Sequence, residues 1–461
     1  MNPIVLCVIL VTPLLPAQAA PKINSIHPSS LQRGISVDVT FMGERLNSVI
    51  GIHLAGAEGV KAVLPDPAKQ KDPKKLIAKI TVPNDASIGD REVRLISLDG
   101  VSNASRLTIG ILPHLNEKEP NNDPNKAQIV KLPVEIFGAV HAATERDYFK
   151  FQAKKGEHLV FEIVAARAGS KLDSSLLLVD AARKELAWSE DVEGFDSRID
   201  YDVQQDGEYL LIVRDFRYRG GADYSYRLRA GNFPFIESIF PMGGQRGQKV
   251  EVNFIGQNLG GTSKTQMDLS SDVLGIRDVR AEAGMGPSNA RKFDVRDLPE
   301  LFESEPNNDA KTSTAITAPC VINGRIDKPG DVDTFKFTPA KTRDLNFEVF
   351  ARRLGSPLDS FLLLNNAAGA KLRENDDRSG PDSYFDFRGL DPKKEYVLSI
   401  RDLTDQGGTA FGYRIVVQPP TGGGQQDFAV RIIPDVVQLN RGSYAKVWCD
   451  VVRRGGFKGD V

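Results

Sequence analysis

At 461 residues, with 41% hydrophobic and 26% charged residues, the chain has an ordinary globular composition. It is too long for a single core and should divide into roughly three or more domains. A formal net charge of −2 gives no electrostatic footprint for nucleic acid or an anionic membrane surface. The 41 glycines and 27 prolines supply turn residues in the quantity that many short strands need, so an all-β chain of tandem β-sandwich modules is expected.

The N-terminus carries an apolar run from Ile4 to Leu15, then Ala17-Gln18-Ala19, a small-x-small cleavage pattern. Residues 1–19 are therefore predicted to be a signal peptide, although the positive charge before the run is only the α-amino group. Pro13, Pro16 and the shortness of the run argue against a membrane span, and no later segment is long enough for one. The expected location is secreted, periplasmic or at the cell surface. Cys7 sits too early in the run to be a lipidation cysteine. Once a leader is removed, Cys320 and Cys449 remain, in different predicted modules, so no disulfide between them is expected. Stability would then come from size or from bound metal.

The rest of the chain repeats itself. Glu117-Lys118-Glu119-Pro120-Asn121-Asn122-Asp123 returns 186 residues later as Glu303-Ser304-Glu305-Pro306-Asn307-Asn308-Asp309. The same offset maps Gly138 to Gly324, Asp147-Tyr148-Phe149 to Asp333-Thr334-Phe335, and Gly169-Ser170-Lys171-Leu172-Asp173 to Gly355-Ser356-Pro357-Leu358-Asp359. One residue further on, Arg214-Asp215 matches Arg401-Asp402 and Tyr226 matches Tyr413. A second unit alternates with the first: Ile23-Asn24-Ser25-Ile26-His27-Pro28, Gln32-Arg33-Gly34 and Phe41-Met42-Gly43 match Ile236-Glu237-Ser238-Ile239-Phe240-Pro241, Gln245-Arg246-Gly247 and Phe254-Ile255-Gly256, 213 residues on. The two offsets differ, so the second copy of this unit is shorter, and the loss lies between Leu259 and the acidic motif that follows. The Lys/Asp/Pro-rich stretch from Pro65 to Lys75 of the first copy is a candidate for part of that extra length.

In chain order the expected modules are thus 20–112, 115–231, a shortened 233–300, 301–417, a Pro/Gly linker at 418–426, and 427–461. The last opens with β-like segments and stops after two or three strands, where a sandwich needs about seven, so the chain is expected to end inside a domain. His158 to Val164 and Tyr209 to Val213 show the β-branched and aromatic enrichment of buried strands, and Asp206-Gly207 before the second is a turn signal. No segment sustains a 3.6-residue apolar period of helical length.

The motifs of 115–231 and 301–417 resemble the bacterial pre-peptidase C-terminal domain: Glu-x-Glu-Pro-Asn-Asn, a Gly followed nine residues later by Asp-aromatic, Gly-Ser-x-Leu-Asp, then Gly-x-Tyr and a closing Tyr-x-Tyr or Gly-Tyr strand. Those of 20–112 and 233–300 resemble the immunoglobulin-like IPT/TIG domain in their opening Ile-x-Ser-Ile-x-Pro and later Phe-x-Gly. The resemblance implies Ig-like and jelly-roll-type β-sandwiches that accompany secreted hydrolases and surface proteins, some binding polymers and some binding calcium.

One copy gathers Glu117, Glu119, Asn121, Asn122, Glu145 and Asp147, and the other Glu303, Glu305, Asn307, Asn308, Asp331 and Asp333. If each set converges, four carboxylates meet beside amide oxygens, and a hard dication with roughly six to eight oxygen ligands relieves their repulsion. Calcium, up to two ions, is the expected metal; related domains that bind it use these Glu, Asn and Asp positions. Glu145 departs from the pattern, because copy two has Asp331 there and a longer arm changes the reach. The same residues also suit a solvated polar turn.

No catalytic constellation is found. All five histidines precede residue 160, and His27, His141 and His158 are replaced in the second copies. Neither a His-Glu-x-x-His helix nor a Gly-x-Ser-x-Gly elbow occurs. Asp173 and Asp359 read as turn residues bonding their own backbone. Phe216, Arg217, Tyr218 and Arg219 are candidate ligand contacts for an extracellular polymer, polysaccharide or protein, since flat aromatics beside guanidinium groups suit such surfaces; an ordinary exposed hairpin loop is the other reading. The expected function is a non-catalytic secreted or cell-surface multi-module protein for binding, adhesion or substrate targeting, with no nucleic acid partner and no membrane span. The alternative is the accessory region of an exported peptidase or other hydrolase whose catalytic domain is not in this chain.

Overall fold

The computed structural model describes residues 19–56, 58–192, 194–339, 343–377, 382–419, 427–433 and 448–454. The fold is all-β, built of sandwich modules, with short 3-10 turns as the helical elements among the described residues. The expected leader before Ala19, most of the 418–426 linker and much of 427–461 lie outside those residues. Contacts divide the chain into two units, one reaching Ile111 and taking in 430–451, the other running from Leu112 to Ala429 with 452–461.

The first unit is a two-sheet sandwich. One sheet orders Lys22–His27, Ser36–Glu44, Lys75–Thr81 and Lys61–Val63; the other orders Ser30–Gln32, Ser105–Gly110, Gly89–Ser97 and Val49–Leu54. Lys75–Thr81 shows why the sequence chooses strand here. Leu76, Ala78 and Ile80 are buried while Lys75, Ile77, Lys79 and Thr81 are exposed, the two-residue alternation of a sheet with one wet face.

In the second unit the two repeated modules have the same topology. Module one pairs a sheet of His114–Asn116, Val134–Ala139, Ser225–Gly231, His158–Val164 and Arg198–Asp202 with a sheet of Gln128–Ile129, Asp147–Ala153, Gly207–Asp215, Ser174–Asp180 and Glu185–Glu190. Module two repeats it with Glu300–Phe302, Cys320–Arg325, Gly412–Gln418, Leu345–Phe350 and Tyr384–Phe387 facing Thr314–Ala315, Val332–Phe337, Tyr396–Asp402, Ser360–Asn366 and Lys371–Asn375. Each core lies between its sheets: Phe149, Phe151, Phe161 and Leu211 in one, Phe335, Phe337, Phe347 and Leu398 in the other. In each, a stacked Phe–Tyr pair, Phe151–Tyr209 and Phe337–Tyr396, has centroids 5.8 Å apart.

Between them lies the shortened Ig-like module, with three-stranded sheets of Phe235–Phe240, Lys249–Gln257, Lys264–Asp268 and of Gly243–Gln245, Arg291–Arg296, Gly275–Val279. Relative to the first copy it lacks the segment that carries the edge strands Val49–Leu54 and Lys61–Val63, and loss of that segment accounts for most of the difference in length. Its core does not close on itself. Ile236, Val252, Phe293 and Val295 form one cluster with Val321, Phe350, Leu354 and Val416 of module two. The terminal strands Asp427–Ile433 and Trp448–Arg454 pair in a two-stranded sheet.

Candidate metal centres

The acidic motif enters each module along a parallel edge strand, and the ladder then fixes where its side chains go. Asn116 lies opposite Phe137 and Phe302 opposite Asn323. Glu117 therefore donates its N–H to the Phe137 carbonyl at 2.8 Å while its Oε2 accepts from Ala139 N at 2.9 Å, straddling Gly138. Glu303 does the same around Gly324, through Asn323 O at 3.0 Å and Arg325 N at 2.7 Å. The Glu119–Pro120 and Glu305–Pro306 peptide bonds that follow are both cis. The chain then turns so that the carbonyls of Asn121 and Asn307 accept from Tyr148 and Thr334, each at 3.0 Å, which delivers both asparagines beside the strands starting at Asp147 and Val332.

The glycine opposite the acids is required by space. A Cβ on Gly138 would lie 2.5 Å from the Tyr226 ring and 2.7 Å from Glu117 Oε2; on Gly324 it would meet Tyr413 Oη at 2.2 Å. Each tyrosine, paired across the ladder with that glycine, reaches over it and bridges two acids. Tyr226 Oη is 3.0 Å from Glu117 and 2.7 Å from Asp147. Tyr413 Oη is 2.8 Å from Glu303 and 2.6 Å from Asp333. Neither tyrosine was among the expected site residues. The only sequence signal was their shared place in the repeat.

Around this bridge sit Glu119, Glu145 and Asp147, each offering an oxygen within 4.8 Å of the others, and in module two Glu303, Glu305 and Asp333. Glu117, Glu119 and His141 form a further such group. Asn122 and Asn308 are placed differently from their neighbours. Their amides donate to Glu145 at 2.9 Å and to Asp331 at 2.8 Å, and those acids also accept from Ala142 N and Asp327 N. The longer Glu145 and the shorter Asp331 thus serve similar groups although the backbone donor shifts by one residue, three before Glu145 and four before Asp331. Thr144 occupies left-handed backbone (φ 68°) where module two has Gly330 (φ 76°).

With only protein groups around them, these acids are strongly perturbed. Burial, then the charge of Glu117, pushes Asp147 up to about 9. Burial, then Glu303, pushes Asp333 up to about 10, and burial raises Glu303 to about 7. Desolvation also raises Glu119. Desolvation penalises the ionised form, and neighbouring carboxylates add to it. The amide oxygens sharpen the point. Asn121 Oδ1 and Asp147 Oδ1 are buried without a hydrogen-bond partner among the described residues. In module two the Asn307 amide oxygen faces Glu305 Oε1 at 3.2 Å and Asp333 Oδ1 at 3.1 Å, an encounter of three acceptors unless the amide is turned over. Clustered carboxylate and amide oxygens are the ligand types that a hard cation takes.

Elsewhere the structure separates the remaining candidates. Among the described residues the side chains of Asp173 and Asp359 make no bond to their own turn backbone. That task falls to Asp215, whose Oδ1 accepts from Arg217 N and Arg219 N, and to Asp402, which accepts from Thr404 N and Gln406 N. The reason is position: Asp215 and Asp402 end a strand at the root of the hairpin, while Asp173 is buried facing Arg217 at 3.0 Å. Arg217 and Arg219 are thereby engaged with acids of their own module. Phe216 and Tyr218 remain well exposed, and Arg214 lies over the Tyr218 ring, 4.7 Å from its centroid.

No family model matches the chain. A probable subtilase-type serine protease of Deinococcus radiodurans is 45% identical over 74 residues, which are 16% of this chain and 10% of that protein. The pre-peptidase C-terminal domain of a Bacillus anthracis collagenase is covered over 99% of its length by 24% of this chain, at 18% identity and a TM-score of 0.20. The chain is similar to pre-peptidase C-terminal domain proteins with Ig-like modules. Other similar structures include the secreted serine protease VesC from Vibrio cholerae, at 10% identity over 46% of this chain and 50% of that one, and SGBP-B of a Bacteroides ovatus mixed-linkage glucan utilization locus, at 9% identity over 87% and 74%; their TM-scores are 0.18 and 0.17. Among the described residues no helix of the pre-peptidase-like or Ig-like modules is long and apolar enough to cross a membrane.

Proposed function

We propose that this chain is an exported, non-catalytic binding or accessory protein whose two pre-peptidase-like modules are each locked by a calcium ion. One observation carries the calcium reading. In module one Asn121 Oδ1 and Asp147 Oδ1, on fully buried residues beside clustered glutamates, lack donors, and module two gathers the same acids around the buried Asn307, whose amide, turned over, donates to Glu305 and Asp333. Glu117, Glu119, Asn121 and Asp147 would hold the first ion, with Glu145 within reach, and Glu303, Glu305, Asn307 and Asp333 the second. Asn122, Asn308 and Asp331 brace the surrounding loop. A bound dication would supply charge balance and tie the entering segment to the sandwich, which is folding free energy.

The experiment is thermal unfolding of the full chain after chelation, with and without millimolar calcium. A rise in melting temperature that Asp147→Asn and Asp333→Asn together abolish is expected. An unchanged melt on adding calcium would sink the calcium reading. A second reading, the accessory region of an exported peptidase, is favoured by the 74-residue match to a protease. A protease domain encoded in the same reading frame as Val461 would select it.

A further inference from the structure

The outer face of the second sheet in module one differs from its counterpart in module two. A cleft of about 390 Å³ opens there, within the range of roughly 300–1,000 Å³ common to ligand pockets. Its lining comes from across the face of the sheet: Trp188 and Glu185 from the outermost strand, Ser175 from the next, Arg214 beyond it, and Arg146 and Tyr218 from the flanking loops. Trp188 is 48% exposed, and its indole N–H is already bonded to Ser175 Oγ at 3.1 Å. With that donor used and the ring fixed, Trp188 offers the cleft an apolar face. Tyr218, also 48% exposed, stands across from it and is held by the Arg214 guanidinium.

We infer that this cleft is a saccharide-binding subsite, in which a sugar ring stacks on Trp188 against Tyr218 and its hydroxyls are held by Arg146, Arg214 and Glu185. The weakly positive C–H face of a pyranose matches the negative face of an indole, and guanidinium and carboxylate groups pair with neighbouring hydroxyls as donor and acceptor. The cleft opens from the sheet face and not along the free backbone edge of Glu185–Glu190, so a peptide adding as a strand does not fit it. Module two is the internal contrast. Glu374, Asp405 and Phe361 stand where Trp188, Tyr218 and Ser175 stand in module one. There Arg401 folds over the Phe361 ring at 4.6 Å and pairs with Asp405 at 3.3 Å, which covers the same face.

The inference deepens the binding reading above and rests on it. Its test uses the full chain carrying Trp448→Phe, which leaves Trp188 as the only tryptophan of the two. Native gels containing xyloglucan, mixed-linkage β-glucan, xylan, polygalacturonate or glycol chitin should retard this chain in at least one case. Trp188 emission should shift on adding oligosaccharides of that polymer. Trp188→Ala and Tyr218→Ala should each weaken retention by about tenfold, the scale of one lost stacking contact. Their calcium-dependent melting should be unchanged, which shows that the modules still fold. No retardation in any of these polymers, retardation that survives Trp188→Ala, or a Trp188-dependent capture by gelatin instead would each overturn the inference. The calcium reading is decided separately by the melting experiment.

Discussion

Two residues at the same place in the repeat, Arg227 in module one and Arg414 in module two, live in opposite worlds. Arg227 is slightly exposed and lies 3.6 Å from Glu135. Arg414 is fully buried, with ion pairs to Glu300 at 2.8 Å and to Asp294 of the Ig-like module at 3.4 Å, and a hydrogen bond to Asn323 at 2.7 Å. Gly243 makes room for it, since a Cβ there would stand 2.4 Å from Cζ. Phe350 is held between Arg296 and Arg353, at 4.2 and 4.1 Å. The other side of the Ig-like module meets module one more lightly, through the Asn258 amide on the His158 carbonyl at 3.1 Å and Arg198 over Phe235 at 4.7 Å. Duplication kept the acidic corner and the core, while the outer faces diverged: one became a joint and the other an open cleft.

The sharpest way to break this comparison is to remove each arginine. Arg414→Ala leaves Asp294 with Arg296 alone and Glu300 with the Asn323 amide, removes a fully buried charge from between them, and should cost about 3–5 kcal/mol, whereas Arg227→Ala should cost about 1 kcal/mol or less. Denaturant unfolding of the two variants checks it, and equal losses would mean that the joint carries no special weight.

Next in size is the tyrosine bridge, where the modules should behave alike. Tyr226→Phe and Tyr413→Phe each remove the hydroxyl that serves two acids, and each should lose about 1–3 kcal/mol with weakened calcium affinity. Calorimetric titration of both variants tests whether the corners are equivalent.

A further contrast, common to both modules, is a slope with pH. Asp147 and Asp333 bind protons more tightly folded, at about 9 and about 10, than an unfolded Asp with its ordinary value near 3.9. Between those limits the folded state carries more protons, so stability without calcium is full below about pH 4 and falls as pH rises toward 9–10. Saturating calcium should remove that decline, because the ion takes the deprotonated form. Melting temperatures at pH 5, 7 and 9, with chelator and with calcium, read both signs.

Much of this was legible in the sequence, for local reasons. The alternation of Lys75–Thr81, the repeated Glu-x-Glu-Pro-Asn-Asn and the single offset linking Gly138 to Gly324 all reflect short-range constraints. What stayed hidden depends on register between distant strands. Tyr226 lies 109 residues from Glu117, and only the pairing of Gly138 with Tyr226 brings the hydroxyl over the acids. The cleft escaped for the same reason: Trp188, Arg146 and Tyr218 are neighbours only across a folded sheet, and the Phe216 to Arg219 run pointed at its rim alone. The burial of Arg414 was equally out of reach, since its partners Asp294 and Glu300 belong to segments that read as ordinary surface.

The trimmed Ig-like module has a further consequence. Having given up two edge strands and completed its core with Val321, Phe350, Leu354 and Val416, it has no self-sufficient boundary on the side of module two. The portable segment in any rearrangement of such a gene is therefore the pair from Phe235 to Gln418, inherited whole. A crossover near Glu300 would cut through a hydrophobic interior and yield two insoluble halves.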